Sequence, residues 1–447
     1  MPTDSARTFL NVLEVFRPAF TTATFARWLL LMAAWVLSVE RHAVTECLVV
    51  SGAAGVWEHS AFHRVFSLRH WDLDTLGKIW LAALVERLTA RGLPLRFVID
   101  DTLGTHKGPK VFGLGTHVDA VRSTRKTKVF TFGHVWVTCA LVVRVPFSTR
   151  PFAIPLLFRL YRNKKECAAN AGQYRKKTEL AREMVELLLA WLPAATFELL
   201  LDSGYTSRTV LRGLPERVCV LGAVTVRMAT TTVGGRTLRN GRHSDKGTPR
   251  PPMAAWAKDE RSPWQMISAD VYGGLRSMAI KTDLVQWWHV LGARPVRVVL
   301  LRCTTGAIAL RAFMCTDPTR EVDSILSGYA RRWSVEVLFF EIKQHLGFCA
   351  SQARLELSVR RTAPCVALLY GVLVVWFWEQ FERGLRAEIP NRPWYGHKEH
   401  VSFEDILRTA RVALSRRPLL NLVASVASLR HAHDGRAAPT ATQKCSA

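Results

Sequence analysis

Two strand-like runs that each end in an aspartate constrain the fold of this chain most. The first, LRFVID, ends at Asp100, and the second, TFELLLD, ends at Asp202. Two long apolar runs and a strongly periodic helical segment lie between them, and a short helix and a fifth strand-like run follow. The predicted order β, β, β, α, β, α, β indicates an α/β fold. In such a sheet ligands gather beyond the carboxyl ends of strands, although a single aspartate there more commonly caps a turn.

Helical segments flank this α/β region. Apolar residues have helical spacing from residue 1 to about 93, and further helices are predicted from 355 to about 430. The stretch TECLVVSGAAGVWEHSAFHRVFS predicts two short helices, which fit either a DNA-binding helix-turn-helix or an ordinary helical hairpin. Between 227 and 320, TTTVGGRTLRNGRHSDKGTPRPP is predicted as a basic loop, and ARPVRVVLLRC and TGAIALRAFMC as a pair of strands.

The charge indicates a polyanionic partner. The chain has 61 Lys and Arg against 36 Asp and Glu, a formal net charge of +25. Nucleic acid is the simplest such partner, and a membrane surface is less favoured because the basic residues are spread along the whole chain. The runs RSTRKTK and YRNKK supply candidates for DNA backbone contacts, although each also fits a solvated loop. The candidates are Arg125, Lys126, Lys128, Lys164 and Lys165.

Cysteine spacing and apolar run length exclude two classes of protein. The nine cysteines form no CxxC or CxxH pair, which argues against a zinc site or a redox motif and favours small core residues in a reducing cytoplasm. The apolar runs 25–39 and 363–378 are shorter than the ~20 residues that span a bilayer. We therefore expect buried helices and no membrane partner.

The stretch YARRWSVEVLFFEIKQHLG, residues 329–347, places charged side chains among large apolar ones. On a helix that advances about 100° per residue, one face within roughly 60° of arc carries Tyr329, Arg332, Glu336 and Lys343. Glu341 lies on another face and is expected to be a solvated or capping carboxylate. The simplest structural role of Glu336 is an i,i+4 salt bridge with Arg332.

Asp100, Asp202 and Glu336 could together form a cluster of three carboxylates. Clustered carboxylates raise one another's pKa values unless a cation lies among them. Their oxygens are the ligands that Mg²⁺ and Mn²⁺ prefer, and two such ions about 4 Å apart promote attack on a phosphodiester. A basic chain with such a centre is expected to be a nuclease or a strand-transferring enzyme.

The spacing from Tyr329 to Lys343 resembles the Tyr-Arg-Glu-Lys signature of cut-and-paste DDE transposases of bacterial insertion sequences. DDT at 100–102 is similar to the first aspartate motif of that family, and LLLDSGYTS at 199–207 is similar to the second. The resemblance covers about 95–350, and its last motif is specific because four residue types match at fixed spacing. The predicted element order is also that of the family's RNase H-like core, interrupted by an insertion before the last catalytic helix.

The resemblance implies a metal centre and a set of DNA contacts. The residues implied to be catalytic and to bind two Mg²⁺ or Mn²⁺ ions are Asp100, Asp202 and Glu336. The residues implied to contact phosphates near the cleaved end are Tyr329, Arg332 and Lys343.

Two assignments stay open. Asp101 is an alternative first ligand, although the family pattern Asp-x-Thr favours Asp100 because Thr102 follows it. In relatives a tryptophan of the insertion stacks on a flipped base. The candidates here, each also compatible with a core position, are Trp256, Trp264, Trp287 and Trp288.

The fold class expected from the resemblance is α/β, an RNase H-like core with a β-rich insertion and helical terminal regions. The expected organisation is a helical DNA-binding region (1–93), the first part of the core (94–226), the insertion (227–320), the catalytic helix (321–355), a C-terminal helical region (356–431) and a disordered tail (432–447).

The expected function is a transposase that cleaves the ends of a mobile element and joins their 3′-hydroxyls to target DNA. Its partners would be double-stranded DNA and a second copy of the chain in the bacterial cytoplasm, associated with the nucleoid. The alternatives are a metal-dependent nuclease or resolvase without strand transfer, and a non-catalytic DNA-binding protein descended from a transposase. The presence of all three acids and of the complete final motif argues against the last alternative.

Overall fold

The chain forms two compact units in a computed structural model. One unit contains residues 1–79 together with 344–447, and the other contains residues 80–343. The described residues are 5–40, 42–89, 91–108, 110–124, 126–170, 172–239, 242–271, 274–303, 310–390, 393–394, 398 and 400–429. The expected tail at 432–447 and the candidate Arg125 lie outside them.

Helices occupy the N-terminal part of the chain, as their apolar spacing predicted. They are α1 (Ser5–Leu13), α2 (Thr22–Leu37), α3 (Val44–Val50), α4 (His59–Ser67) and α5 (Leu73–Thr89), with a 3-10 helix at Glu14–Ala19. Gly52 and Gly55 lie between α3 and α4 with φ of 74° and 77°, a left-handed conformation that favours glycine. The two short helices are thus confirmed, and DNA binding by them stays a prediction.

The unit 80–343 combines strands with helices. The strands are β1 (Leu95–Thr105), β2 (Gly115–Val118), β3 (Phe130–Val143), β4 (Phe152–Tyr161), β5 (Phe197–Leu201), β6 (Val218–Val224), β7 (Thr231–Arg239), β8 (Arg242–Pro249), β9 (Gln265–Val271), β10 (Gly274–Gln286), β11 (Pro295–Cys303) and β12 (Arg311–Cys315). The helices are α6 (Lys164–Ala169), α7 (Lys177–Trp191), α8 (Arg208–Leu211), α9 (Met253–Trp256), α10 (Trp288–Leu291), α11 (Val322–Ala330) and α12 (Trp333–His345).

Among the described residues these strands form one large mixed sheet. Its order is β2-β3-β1-β5-β6-β12-β11-β10-β7-β8, with β4 paired to β3 and β9 paired to β10. The pairs β1–β5 and β5–β6 are parallel, and Ile99 of β1 is the register partner of Leu201 of β5. Because both strands run in the same direction, the residues that follow this pair, Asp100 and Asp202, lie side by side.

The predicted mixed α/β class is confirmed, with additions between the expected elements. The five predicted strands are β1, β3, β4, β5 and β6, and the two predicted helices are α7 and α8. The four-residue strand β2 and the six-residue helix α6 were not predicted, because runs this short carry little periodic signal.

The basic loop predicted after residue 227 is wrong, because much of this stretch is the antiparallel hairpin β7–β8. Threonine side chains help to hold the pairing: the backbone N–H of Thr248 donates to Oγ1 of Thr232 at 3.0 Å. Thr232 also pairs with Val285 of β10, so the hairpin extends an existing sheet. The predicted pair β11–β12 is confirmed, and residues 304–309 between them are outside the described ranges.

The C-terminal helices are α13 (Glu356–Glu382), α14 (Phe403–Ser415) and α15 (Leu419–Leu429). Of the described helices, only α13 has the length and apolar composition of a membrane span, and 94% of its most apolar window is buried in the structure. The other apolar run forms α2, whose residues from Trp28 to Val36 are also buried. Both runs are therefore the buried helices that were predicted. The guanidinium of Arg361 in α13 donates to the carbonyl oxygen of Arg69 at 2.7 Å, within the same unit.

Candidate active site

The two adjacent aspartates of β1 face opposite sides of the sheet, since side chains alternate along a strand. Asp100 is only 9% exposed, and its Oδ2 accepts a hydrogen bond from Nη1 of Arg332 at 2.5 Å. Asp101 is half-buried and accepts hydrogen bonds from Nζ of Lys177 and the hydroxyl of Tyr205, both at 2.6 Å. The two carboxylates consequently have separate partners.

Asp202 lies directly after β5 and holds the turn that follows. Its Oδ1 accepts hydrogen bonds from the backbone N–H groups of Gly204 and Tyr205, at 2.9 and 3.0 Å. A Cβ at position 204 would lie 3.3 Å from the same Oδ1, so glycine lets the backbone approach the carboxylate closely. Asp202 therefore is the turn-capping residue that the sequence allowed, with its carboxylate at a fixed position.

The expected single helix from Tyr329 to Lys343 is wrong. Helix α11 ends at Ala330, α12 begins at Trp333, and Arg332 lies in the turn between them. The backbone bonds here join residues three apart, from N–H of Arg332 to the carbonyl of Tyr329 at 2.9 Å, which tightens the chain relative to an α-helix. This turn separates Tyr329 from the helix that carries Glu336.

Arg332 lies between two of the three acids. Besides its contact with Asp100, its Nη1 is 3.4 Å from Oε1 of Glu336. The side chain of Glu336 is 43% exposed, whereas that of Arg332 is 14% exposed. The simple i,i+4 salt bridge considered from the sequence is present, but it belongs to a larger group that includes a buried aspartate.

Lys343 and Tyr329 each contact a strand of the sheet. The ammonium of Lys343 donates to the carbonyl oxygen of Leu103 on β1 at 2.8 Å. The ring of Tyr329 lies 4.7 Å from that of Phe313, and the guanidinium carbon of Arg332 lies 5.8 Å from the Tyr329 ring centre. Glu341, expected to be a solvated or capping carboxylate, is half-buried and therefore not fully solvated.

The electrostatics of the three acids are coupled. Burial and the negative charges of Asp202 and Glu336 raise the pKa of Asp100, Arg332 opposes them, and the net result is a pKa of about 7. Asp100 therefore senses both other carboxylates across the site. Arg332 offsets only part of the repulsion among the three carboxylates. A second positive charge near them would offset the rest.

The donor chemistry suits a hard divalent cation, because all three groups are carboxylates. Among the described residues, however, no three acidic, histidine or cysteine side chains are gathered closely enough to hold a metal ion as they stand. Arg332 supplies the positive charge between Asp100 and Glu336 instead. The residues thus fit a metal only if Arg332 moves away or the exposed Glu336 turns inward.

A hydrogen-bond network that joins Asp101, Asp202, Tyr205 and Lys177 was not predicted from the sequence. The backbone N–H of Tyr205 donates a hydrogen bond to Asp202. Its hydroxyl donates a hydrogen bond to Asp101, the neighbour of Asp100. Lys177 completes this network from the first turn of α7. Burial strongly raises the pKa of the Tyr205 hydroxyl, so it stays protonated and donates. The available signal was the position of Tyr205 three residues after Asp202 in LLLDSGYTS.

The other basic candidates are exposed. Lys126 and Lys128 lie on the loop before β3, and Lys164 and Lys165 begin α6. Within the described parts of the chain, none of these lysines makes a hydrogen bond or ion pair with the three acids. The structure therefore does not bring them into the acidic group.

A cavity of about 1120 Å³ opens beside Arg332. Ser203, Tyr329 and Arg332 line one part of it, and apolar residues of β6, β10 and β12 line much of the rest. Of the candidate tryptophans, Trp264 lies under two cations, with the guanidinium carbon of Arg302 4.5 Å from its ring centre.

Comparison with known proteins identifies a family that matches the chain. The family described as DDE superfamily endonuclease matches residues 15–286, more than half of the 447 residues. The matched range contains Asp100 and Asp202 and ends before Glu336. No curated protein matches the chain at a significant level.

Proposed function

The chain belongs to the DDE superfamily endonucleases, and from this membership we propose that it is a DNA transposase. It binds the ends of a mobile element, cleaves them by metal-dependent phosphodiester hydrolysis and joins the 3′-hydroxyl ends to target DNA. The observation that carries the proposal is the coupled set of Asp100, Asp202 and Glu336 around Arg332. The fold proposed for 94–226 and 321–355 is an RNase H-like core, interrupted by an insertion at 227–320.

Asp100, Asp202 and Glu336 are the proposed ligands of two divalent ions, Mg²⁺ or Mn²⁺. Bound ions of this kind activate a water and stabilise the leaving oxygen of a phosphodiester. Asp100 is favoured over Asp101 because it shares its surroundings with the other two acids, whereas Asp101 is engaged by Lys177 and Tyr205.

Arg332 has two proposed roles. Without substrate it neutralises Asp100 and Glu336, and with DNA bound its guanidinium pairs with a phosphate, for which its planar fork is suited. Lys343 and Tyr329 are proposed to contact phosphates near the cleaved end. Burial of Asp100 in a largely apolar sheet keeps bulk water away from this part of the site.

DNA binding rests on the net charge of +25 and on the exposed basic segments. We assign recognition of the element ends to the helical region 1–93 and general backbone affinity to the segments that contain Arg125, Lys126, Lys128, Lys164 and Lys165. Two copies of the chain are proposed to hold two ends in a homodimeric complex. The proposed location is the bacterial cytoplasm, at the nucleoid.

The test uses a plasmid carrying the DNA that flanks the gene on both sides, a second plasmid as target and Mg²⁺. Joined products that require both flanks support the transposase, provided that Glu336→Gln yields none. Cleavage without joined products supports the alternative, a metal-dependent nuclease or resolvase. Binding without cleavage would indicate a non-catalytic DNA-binding protein.

A further inference from the structure

A second charged group lies on the same face of the sheet as the acids. Arg96 of β1 and Glu198 of β5 are register partners, and they precede Asp100 and Asp202 by four residues. Since side chains alternate along a strand and each residue advances about 3.3 Å, this group lies about 13 Å from the acids on the same face.

Two guanidiniums form ion pairs with the single carboxylate of this group. Nε of Arg96 forms an ion pair with Oε2 of Glu198, and Nη1 of Arg320 donates to Oε1 at 2.8 Å. The side chains of all three residues are at most 18% exposed. Each oxygen of Glu198 therefore pairs with one of the two guanidiniums, which fixes the orientation of both arginines.

Two further arginines add charge without adding an acceptor. Burial, together with the positive charges of Arg96 and Arg144, lowers the pKa of Arg331 to about 10. In the part of the chain that the structure describes, the guanidiniums of Arg331 and Arg144 have no hydrogen-bond or ion-pair partner. Arg331 and Arg144 thus add two positive charges to the group formed by Arg96, Glu198 and Arg320, and Arg144, which directly follows β3, is exposed.

We propose that Arg96, Arg144, Arg320 and Arg331 form a phosphate-binding site. A phosphate group matches the planar fork of arginine, accepts several N–H bonds at once and offsets the surplus charge. Repulsion among the four cations opposes folding unless an anion compensates it, which is the physical reason to expect a ligand here.

The source of the phosphate follows from the chain itself. Arg331 and Arg332 are consecutive residues of the α11–α12 turn, and they face the arginine group and the acidic group respectively. A DNA strand whose cleaved phosphate lies at the acids can place another phosphate at the arginines. This assignment rests on the proposed function, whereas binding of a free phosphate does not.

The experiment measures DNA affinity of the full chain at several salt concentrations, using a duplex of arbitrary sequence in the presence of chelator. Because each lost phosphate contact lowers the slope of log Kd against log salt by about one, Arg331→Gln and Arg144→Gln should each reduce the slope by about that amount. Arg331→Lys should keep the slope, and Arg212→Gln, which removes an exposed arginine of the same unit, should also keep it.

A second arm measures the melting temperature in inorganic phosphate and in chloride at equal ionic strength. Protection by phosphate that Arg331→Gln removes, with an unchanged DNA slope, would assign the site to a free phosphate. An unchanged slope in Arg144→Gln and Arg331→Gln together with no phosphate protection would overturn the proposal. Because neither arm requires cleavage, loss of the site is distinguishable from failure of the proposed transposase activity.

Discussion

The guanidinium of Arg332 donates to the carboxylate of Asp100 at 2.5 Å, across 232 residues of sequence. The same guanidinium lies 3.4 Å from Glu336, so one cation neutralises parts of two acids. Asp100 keeps a raised pKa even with this partner because it is buried and close to further negative charge. The acids therefore carry more negative charge than the one guanidinium of Arg332 offsets.

Replacement of Arg332 by glutamine should make the protein depend on divalent ions for stability. Without the guanidinium, Asp100 and Glu336 repel each other, and Mg²⁺ or Ca²⁺ can take its place. We expect ion addition to raise the melting temperature more in Arg332→Gln than in the wild type, and Arg212→Gln to behave as the wild type does. Cleavage should fall by ~100-fold because the substrate is misplaced. If added ions raise the melting temperature equally in Arg332→Gln and the wild type, and if cleavage is normal, Arg332 forms only an ordinary salt bridge.

Glu336→Gln should abolish DNA cleavage and leave DNA binding largely intact, because it removes a charge at the acidic group with little change of shape. The matched control is Glu341→Gln on the same helix, which faces away from the acids and should lose little cleavage per folded molecule. Gel assays of cutting and binding in Mg²⁺, Ca²⁺ and chelator check both statements. Ca²⁺ should support binding but not cutting, and full activity in chelator would exclude the metal centre.

Asp100→Asn and Asp101→Asn should differ in how much DNA cleavage they lose. Asp100→Asn should abolish cutting, whereas Asp101→Asn and Tyr205→Phe disturb only the network behind the acids and should cost about 10- to 100-fold. Tyr174→Phe, an aromatic residue outside the contacts of Asp101, is the control. Measurement of cleavage rate at saturating Mg²⁺ and of the Mg²⁺ concentration at half-maximal rate separates a ligand from a positioning residue. Loss of cutting in Asp101→Asn with retention in Asp100→Asn would reassign the first ligand.

His134 should make the unit 80–343 sensitive to acid. Burial lowers the pKa of His134 from 6.5 to about 4, and its Nε2 contacts the carbonyl oxygen of Phe112 at 2.8 Å. Between pH 6.5 and 4 the unfolded chain binds a proton that the folded chain does not, so stability falls as pH falls through this range.

The expected loss from His134 at pH 5 is about 2 kcal/mol relative to pH values above 6.5. His134→Gln should remove this part of the pH dependence, and replacement of the exposed His289 by glutamine should not. Denaturant unfolding of both variants at pH 7.5 and 5 provides the comparison. If His134→Gln and the wild type lose the same free energy of unfolding between pH 7.5 and 5, His134 is not the source of the acid sensitivity.

Much of the secondary structure followed from local pattern. Strands β1 and β5 were recognised from their β-branched and apolar runs, and α7 from its period, because these signals depend only on neighbours in sequence. The hairpin β7–β8 was missed because its glycine- and threonine-rich residues are typical of a loop. Pairing with β10, which is distant in sequence, decides their conformation.

The sequence by itself determined the residue types of the acidic group and the polyanionic character of the partner, since charge and spacing are properties of the chain alone. Only the tertiary structure decided that α11 and α12 are separate helices, that Asp100 pairs with Arg332 while Asp101 pairs with Lys177 and Tyr205, and that Arg96 and Arg320 both pair with Glu198. The physical reason is that these contacts join residues about 75 to 230 positions apart. Sheet register and burial select among such partners, and a local pattern carries no information about either.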